Sequence, residues 1–145
     1  VSYALTNTVF REYTDRVKVD GNDVVKDYRN KRVPYIPLQT LGAAANYRIG
    51  VRNSCLRNIV IGAGTTAMGN IYWDEANSYS QNFYALLNAH VDADFGLVKL
   101  SLWGKNLTSA KYNTFALESS ATGEKLCFAQ RGMPCQIGVD VRMNF

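Results

Sequence analysis

The sequence predicts an all-β chain: about six antiparallel strands forming an up-and-down segment of a transmembrane-type β-barrel. Three observations carry this. The last stretch, Cys135 to Phe145, alternates without a break, with Cys135, Ile137, Val139, Val141, Met143 and Phe145 set against Gln136, Gly138, Asp140, Arg142 and Asn144. A second stretch repeats the pattern with an aromatic at each end: Phe83, Ala85, Leu87, Ala89, Val91, Ala93 and Phe95 face one way, Asn88, His90, Asp92 and Asp94 the other. Lipid on an apolar face and water on a polar one explain such strands, and interfacial aromatics explain their ends. Third, the connections between alternating stretches run long, short, medium, short, long, as the two ends of a membrane barrel require.

In chain order, Val1, Tyr3, Leu5, Val9 and Tyr13 mark a first strand to about Thr14, interrupted by Asn7 and Arg11. Asp15 to Arg32 is polar, with turn chemistry at Asp20-Gly21-Asn22-Asp23. Pro34 and Pro37 fix an extended entry to the second strand, Leu41 to Ile49. A short turn at 51–58 leads to a long, glycine-rich third strand that alternates as far as Trp73. Asp74 to Ser80 is a polar link to the fourth strand. Phe95-Gly96 turns the chain into the fifth, Val98 to about Tyr112, and a polar loop, Asn113 to Pro134, precedes the sixth. Working back from Phe145, the turns at 51–58 and 95–97 fall at one end and the long loops at the other.

Bulk properties agree. The chain has 145 residues, enough for one domain or part of a larger one, and its nine Tyr and eleven Gly favour β structure. No apolar run reaches the roughly 18 residues of a membrane helix, which leaves barrel strands open. A net charge of +4 with scattered basic residues argues against nucleic acid. One His and the lack of a C-x-x-C pair argue against zinc. His90, Asp92 and Asp94 share the polar face, but no nucleophile stands at a useful spacing, so no enzyme and no cofactor are expected. Val1 already lies inside an alternating run, with no initiator Met or signal peptide, so the chain is expected to be a fragment or processed piece.

Three stretches resemble the C-terminal end of the barrel of TonB-dependent outer-membrane receptors. Arg32-Val33-Pro34-Tyr35-Ile36-Pro37, leading into Leu41 to Arg48, is similar to that family's R-x-P-x-x-P loop before a barrel strand. Leu102 to Thr108 with Tyr112 is similar to its V-x-N-L-(T/F) segment in the penultimate strand. Gly132-Met133-Pro134 with the terminal strand to Phe145 is similar to its closing motif, in the form found in receptors of Bacteroides-like bacteria. The resemblance covers essentially the whole chain. It implies the outer membrane of a Gram-negative cell and energised uptake of a scarce ligand: an iron-siderophore, haem, cobalamin or a glycan. It implies a barrel of about 22 strands around an N-terminal plug, of which residues 1–145 are only the last part, with the plug absent. The implied partners are outer-membrane lipids, the barrel-assembly machinery, a small-molecule or metal-chelate ligand, and TonB through the missing N-terminal part.

Within that frame Val139, Val141, Met143 and Phe145 are the candidate assembly signal. Tyr28, Arg29, Lys31, Arg32 and Tyr35 are candidate ligand-facing loop residues, set against the simpler reading of Arg29, Lys31 and Arg32 as a solvated loop. Tyr13, Tyr72, Trp73 and Tyr79 read mostly as rim aromatics. Cys127 and Cys135 flank the last loop, either as a disulfide or as two thiols. The competing architecture is a small stand-alone barrel, closed or completed by a second copy. It would be lipocalin-like or a small outer-membrane barrel, and would bind an apolar ligand.

Overall fold

The computed structural model describes residues 1–19, 21–51, 55–119 and 126–144. Twelve strands lie among them: β1 (Ser2–Leu5), β2 (Thr14–Val19), β3 (Asn22–Asp27), β4 (Gln39–Gly50), β5 (Asn58–Gly69), β6 (Ile71–Tyr72), β7 (Ser80–Gln81), β8 (Tyr84–Asp94), β9 (Val98–Lys105), β10 (Asn113–Ser119), β11 (Leu126–Arg131) and β12 (Gln136–Met143). Six of them build one antiparallel up-and-down sheet in the order β1-β4-β5-β8-β9-β12. The other six form three hairpins, β2/β3, β6/β7 and β10/β11, one in each of the three long connections. The two short turns, β4 to β5 and β8 to β9, lie at the opposite end. Met143 pairs with Val98 there, and the Asn144 N–H donates to the Leu97 carbonyl at 2.9 Å. The fold is thus all-β and of barrel-segment type. The sheet is open: β1 and β12 are its edges among the described residues, so it does not form the small closed barrel.

Register sorts the side chains into rows. On one face Tyr47, Ile61, Val91, Leu102 and Val139 are directly opposed from strand to strand. On the other face the matching row is Arg48, Val60, Asp92, Ser101 and Asp140. Because the side-chain period is two, one slip in register would exchange the faces throughout. The polar face carries two close fits. A Cβ at Gly62 would run into the His90 ring, and one at Gly138 into the Trp103 ring. Trp103 is held there by an Nε1–H bond to Asp140 Oδ2 at 2.9 Å, with Lys105 Nζ 5.3 Å from its ring centre.

Several boundaries differ from the sequence expectation, each for a local reason. The first strand leaves the sheet after Leu5 instead of running to Thr14. Its partner strand begins at Gln39, just beyond Pro37, which has no N–H and a fixed φ and so takes no part in a ladder. The third strand stops at Gly69 because Asn70 adopts φ 26°, which resets the alternation and turns Ile71 and Trp73 out of the sheet. The fifth stops at Lys105 because Asn106 sits at φ 49°. The two longest connections read as polar loops, yet each folds back as a hairpin, the first around Gly21 at φ 82°.

The sheet has little buried surface of its own. Val139 remains 60% exposed, and most of the apolar row is open in the same way. The buried apolar residues gather at the long-connection end, where Ile71, Trp73 and Ala116 pack with Met68 and Tyr79. Close by, Asn106 (4% exposed) closes off β9. Its Nδ2 donates to the Ala110 and Met133 carbonyls at 3.0 and 2.9 Å, and its Oδ1 accepts from the Ala110 N–H at 2.9 Å. Asn106→Ala strands all three backbone groups. It should lower stability by about 2–4 kcal/mol, read as a fall in the chemical-unfolding midpoint with an unchanged slope.

Candidate functional site

The three long connections meet at one end of the sheet and are tied to one another there. The tie begins with local turn chemistry. Asp74 accepts the Ser78 and Tyr79 N–H groups at 3.0 and 2.9 Å, which holds Asn77 at φ 58°. Asn77 then reads the backbone of Arg32 from both sides. Its Oδ1 accepts the Arg32 N–H at 2.7 Å and its Nδ2 donates to the Arg32 carbonyl at 2.9 Å. The side-chain amide acts as one rung of a β-ladder between the first connection and the second. Val9 pairs with Arg32 as an isolated bridge.

Tyr35 ties in the third connection. Its N–H donates to the Tyr72 carbonyl at 2.8 Å and its hydroxyl to the Ala116 carbonyl at 3.2 Å. The ring stacks on Phe115 at 5.9 Å and 16°, and meets the Trp73 ring edge-on at 5.6 Å and 65°. Phe10, Tyr13 and Tyr28 form a second stack, with centroid spacings of 4.8 and 5.5 Å. Beside it an open cleft of about 500 Å³ is lined by Glu12, Tyr13, Thr14, Asp27 and Arg29. Burial pushes the Tyr28 hydroxyl pKa up.

The structure separates the basic cluster. Arg29 is held by Asp27, with Nε and Nη2 each 2.6 Å from Oδ2. Arg32 points back to Asn7, its Nη1 donating to Oδ1 at 3.2 Å. Lys31 is exposed, with no ion pair among the described residues. Of the five candidate loop residues, then, Tyr35 and Arg32 are brought into one network, Tyr28 and Arg29 into another, and Lys31 into neither through its side chain. Asn77 and Phe115 were not singled out from sequence. The Asx-turn signal at Asp74 to Ser78 marks Asn77, whereas nothing local marks Phe115, since it is a long-range contact that places it.

At the other end of the polar face a concavity of about 470 Å³ is lined by Arg48, Asp92, Asp94, Lys99, Asp140 and Arg142, among others. His90 Nε2 lies 3.7 Å from Asp92 Oδ2, and Lys99 Nζ 3.5 Å from Asp94 Oδ2. Val139, Val141 and Met143 stand exposed on the apolar face of β12, while Phe145 lies outside the described residues. Cys127 and Cys135 are exposed free thiols, so the candidate disulfide is not formed.

Two measurements check these ties. Asn77→Ala should speed exchange of the Arg32 amide hydrogen about 5- to 30-fold, the equivalent of losing about 1–2 kcal/mol of local protection. Arg29 holds the Asp27 carboxyl below its ordinary value of 3.8 by hydrogen bonding. The pair is therefore intact above that value and lost as pH falls below it. Arg29→Ala should raise the Asp27 pKa toward 3.8 in an NMR titration.

No family model matches the chain. Among solved structures, the crystal structure of the ferric yersiniabactin uptake receptor FyuA from Yersinia pestis is similar over 85% of this chain, with a TM-score of 0.71 and 22% sequence identity. The match takes in 20% of that receptor, so this chain spans about a fifth of its length. At that identity the likeness is one of fold: the antiparallel six-stranded sheet matches a segment of that receptor.

Proposed function

We propose that this chain is the C-terminal barrel segment of a TonB-dependent outer-membrane receptor. The whole protein would take up a scarce ligand (an iron-siderophore, haem, cobalamin or a glycan) with energy delivered through TonB. One observation carries the reading. A single apolar face runs unbroken across the sheet and is backed by a charged face, while the connections sort by length to opposite ends. The likeness to FyuA, an uptake receptor, adds to the receptor reading.

On this reading the apolar face meets outer-membrane lipid, and the charged face lines the barrel interior. The long connections form the outer mouth, where Tyr28, Arg29, Lys31, Arg32 and Tyr35 stand. With Arg29 and Arg32 engaged by Asp27 and Asn7, the mouth offers a ligand Lys31 and aromatic surface more than a cationic cluster. The terminal strand, Val139, Val141, Met143 and Phe145, is what the barrel-assembly machinery reads. Six strands are part of a pore of this class, so uptake belongs to the whole receptor and to TonB contacts made outside this chain.

The test is a pair of neighbours in β12. Val139→Arg sets a charge on the lipid face and should cost about 2–4 kcal/mol, seen as loss of the protein from the outer-membrane fraction. Asp140→Asn, on the interior face, keeps an oxygen for Trp103 Nε1 and should leave assembly near normal. Equal effects of the two changes, or a protein found only in the soluble fraction, would sink the reading.

A further inference from the structure

Donor atoms from three side chains converge over Gly62 on the polar face of the sheet. Asn46, Gly62, His90 and Trp103 stand directly opposite one another on β4, β5, β8 and β9. Gly62 has no side chain, so its neighbours lean in from both sides. A Cβ built there would meet Asn46 Oδ1 and also His90 Cε1 and Nε2. Asp92, two residues along β8, shares the face of His90, and its Oδ2 lies 3.7 Å from His90 Nε2. The place opens on a concavity of about 310 Å³ that Asn46, His90 and Trp103 help to line. The His90 and Asp92 side chains are 39% and 43% exposed, so solutes reach it.

The charges nearby are engaged elsewhere. Lys99 pairs with Asp94 and the Trp103 N–H holds Asp140, while no Lys or Arg among the described residues pairs with Asp92. An amide oxygen and a carboxylate oxygen only accept, and an imidazole with its proton on Nδ1 presents a lone pair at Nε2. Three lone pairs that face one another repel unless a positive charge stands between them. A small ion bound at about 2.1 Å to each donor holds them roughly 3–4 Å apart, the spacing found between Nε2 and Oδ2. No three His, Cys, Asp or Glu side chains among the described residues converge in this way, so the amide oxygen supplies the third donor.

We infer that Asn46, His90 and Asp92 form a binding site for a divalent transition-metal ion, held by Oδ1, Nε2 and Oδ2. One imidazole nitrogen with two oxygens suits Co²⁺, Ni²⁺ or Zn²⁺ better than Mg²⁺ or Ca²⁺, which take oxygen donors. Three protein donors leave the ion positions for water, unlike the closed four-ligand zinc centre that a single His argues against. Bound there, the ion braces β4 to β8 across β5. The site depends on the register of the sheet alone, so it stands apart from the receptor reading.

The test uses the full-length protein in detergent micelles, labelled with 5-fluorotryptophan. Trp103 sits opposite His90, so paramagnetic Co²⁺ at the site shifts and broadens its fluorine signal, the one lost in Trp103→Phe. Co²⁺ should act saturably, Zn²⁺ should reverse the effect and Mg²⁺ should not. His90→Gln should weaken Co²⁺ binding at least about tenfold, and Asn46→Ala and Asp92→Asn about three- to tenfold each. Gly62→Ala keeps all three donors but sets a methyl where they meet, and should lose binding as far as His90→Gln does. If Gly62→Ala fails to assemble, the three donor variants decide. A Trp103 signal that ignores Co²⁺ overturns the site, since a proton on Nε2 then satisfies the two oxygens. So does a response that His90→Gln leaves unchanged, one that Mg²⁺ matches, or full binding by an assembled Gly62→Ala.

Discussion

The antiparallel ladder is what the rest of this structure depends on. Five strand pairings satisfy the backbone along the sheet, and the register they share decides which side chains stand in each row. The apolar face of β5 consists of Ile59, Ile61, Ala63, Thr65 and Ala67 only because each is locked opposite its counterpart in β4 and β8. A sheet of this kind needs no core beneath it, provided that one face meets an apolar medium. The scarcity of buried residues along the strands is thus consistent with the distribution of exposed ones.

The sequence made the sheet legible because its strands are long and their period is unambiguous. Each of the six alternating stretches contains a strand of the main sheet, and both short turns fall where glycine and polar residues were read. Legibility failed where alternation continues through a residue that changes backbone region. Nothing in the pattern around Ile71 and Trp73 distinguishes a strand that continues from one that turns at Asn70. It failed again in the long connections, where polar composition hid hairpins whose pairing partners lie close in sequence but carry no strong period. The basic cluster misled for a different reason. Charge counted along the chain cannot reveal that Asp27 and Asn7 engage two of its three members.

The long connections are held differently from the sheet. Their ties are single side chains gripping backbone: Asn77 on Arg32, Tyr35 on Ala116, Asn106 on Ala110 and Met133. Such ties are local and few beside the continuous ladders of the sheet. Buried apolar packing at this end is confined to a small cluster around Trp73, which supports the ties without welding the three connections into one block.

The two glycine fits on the polar face have a consequence for how the sequence can drift. At Gly138 the space above the backbone belongs to Trp103 on the neighbouring strand, and at Gly62 it is shared by His90 on one neighbouring strand and Asn46 on the other. Neither glycine can gain a side chain unless the neighbours above it give way, Trp103 at Gly138 and both His90 and Asn46 at Gly62. Among diverged relatives these positions should therefore covary, a bulky residue moving from one strand to the next as its glycine does. Each such pair is a register mark carried by side chains, independent of any turn, and it ties β5 to β8 and β9 to β12 even where the connecting loops have changed beyond alignment.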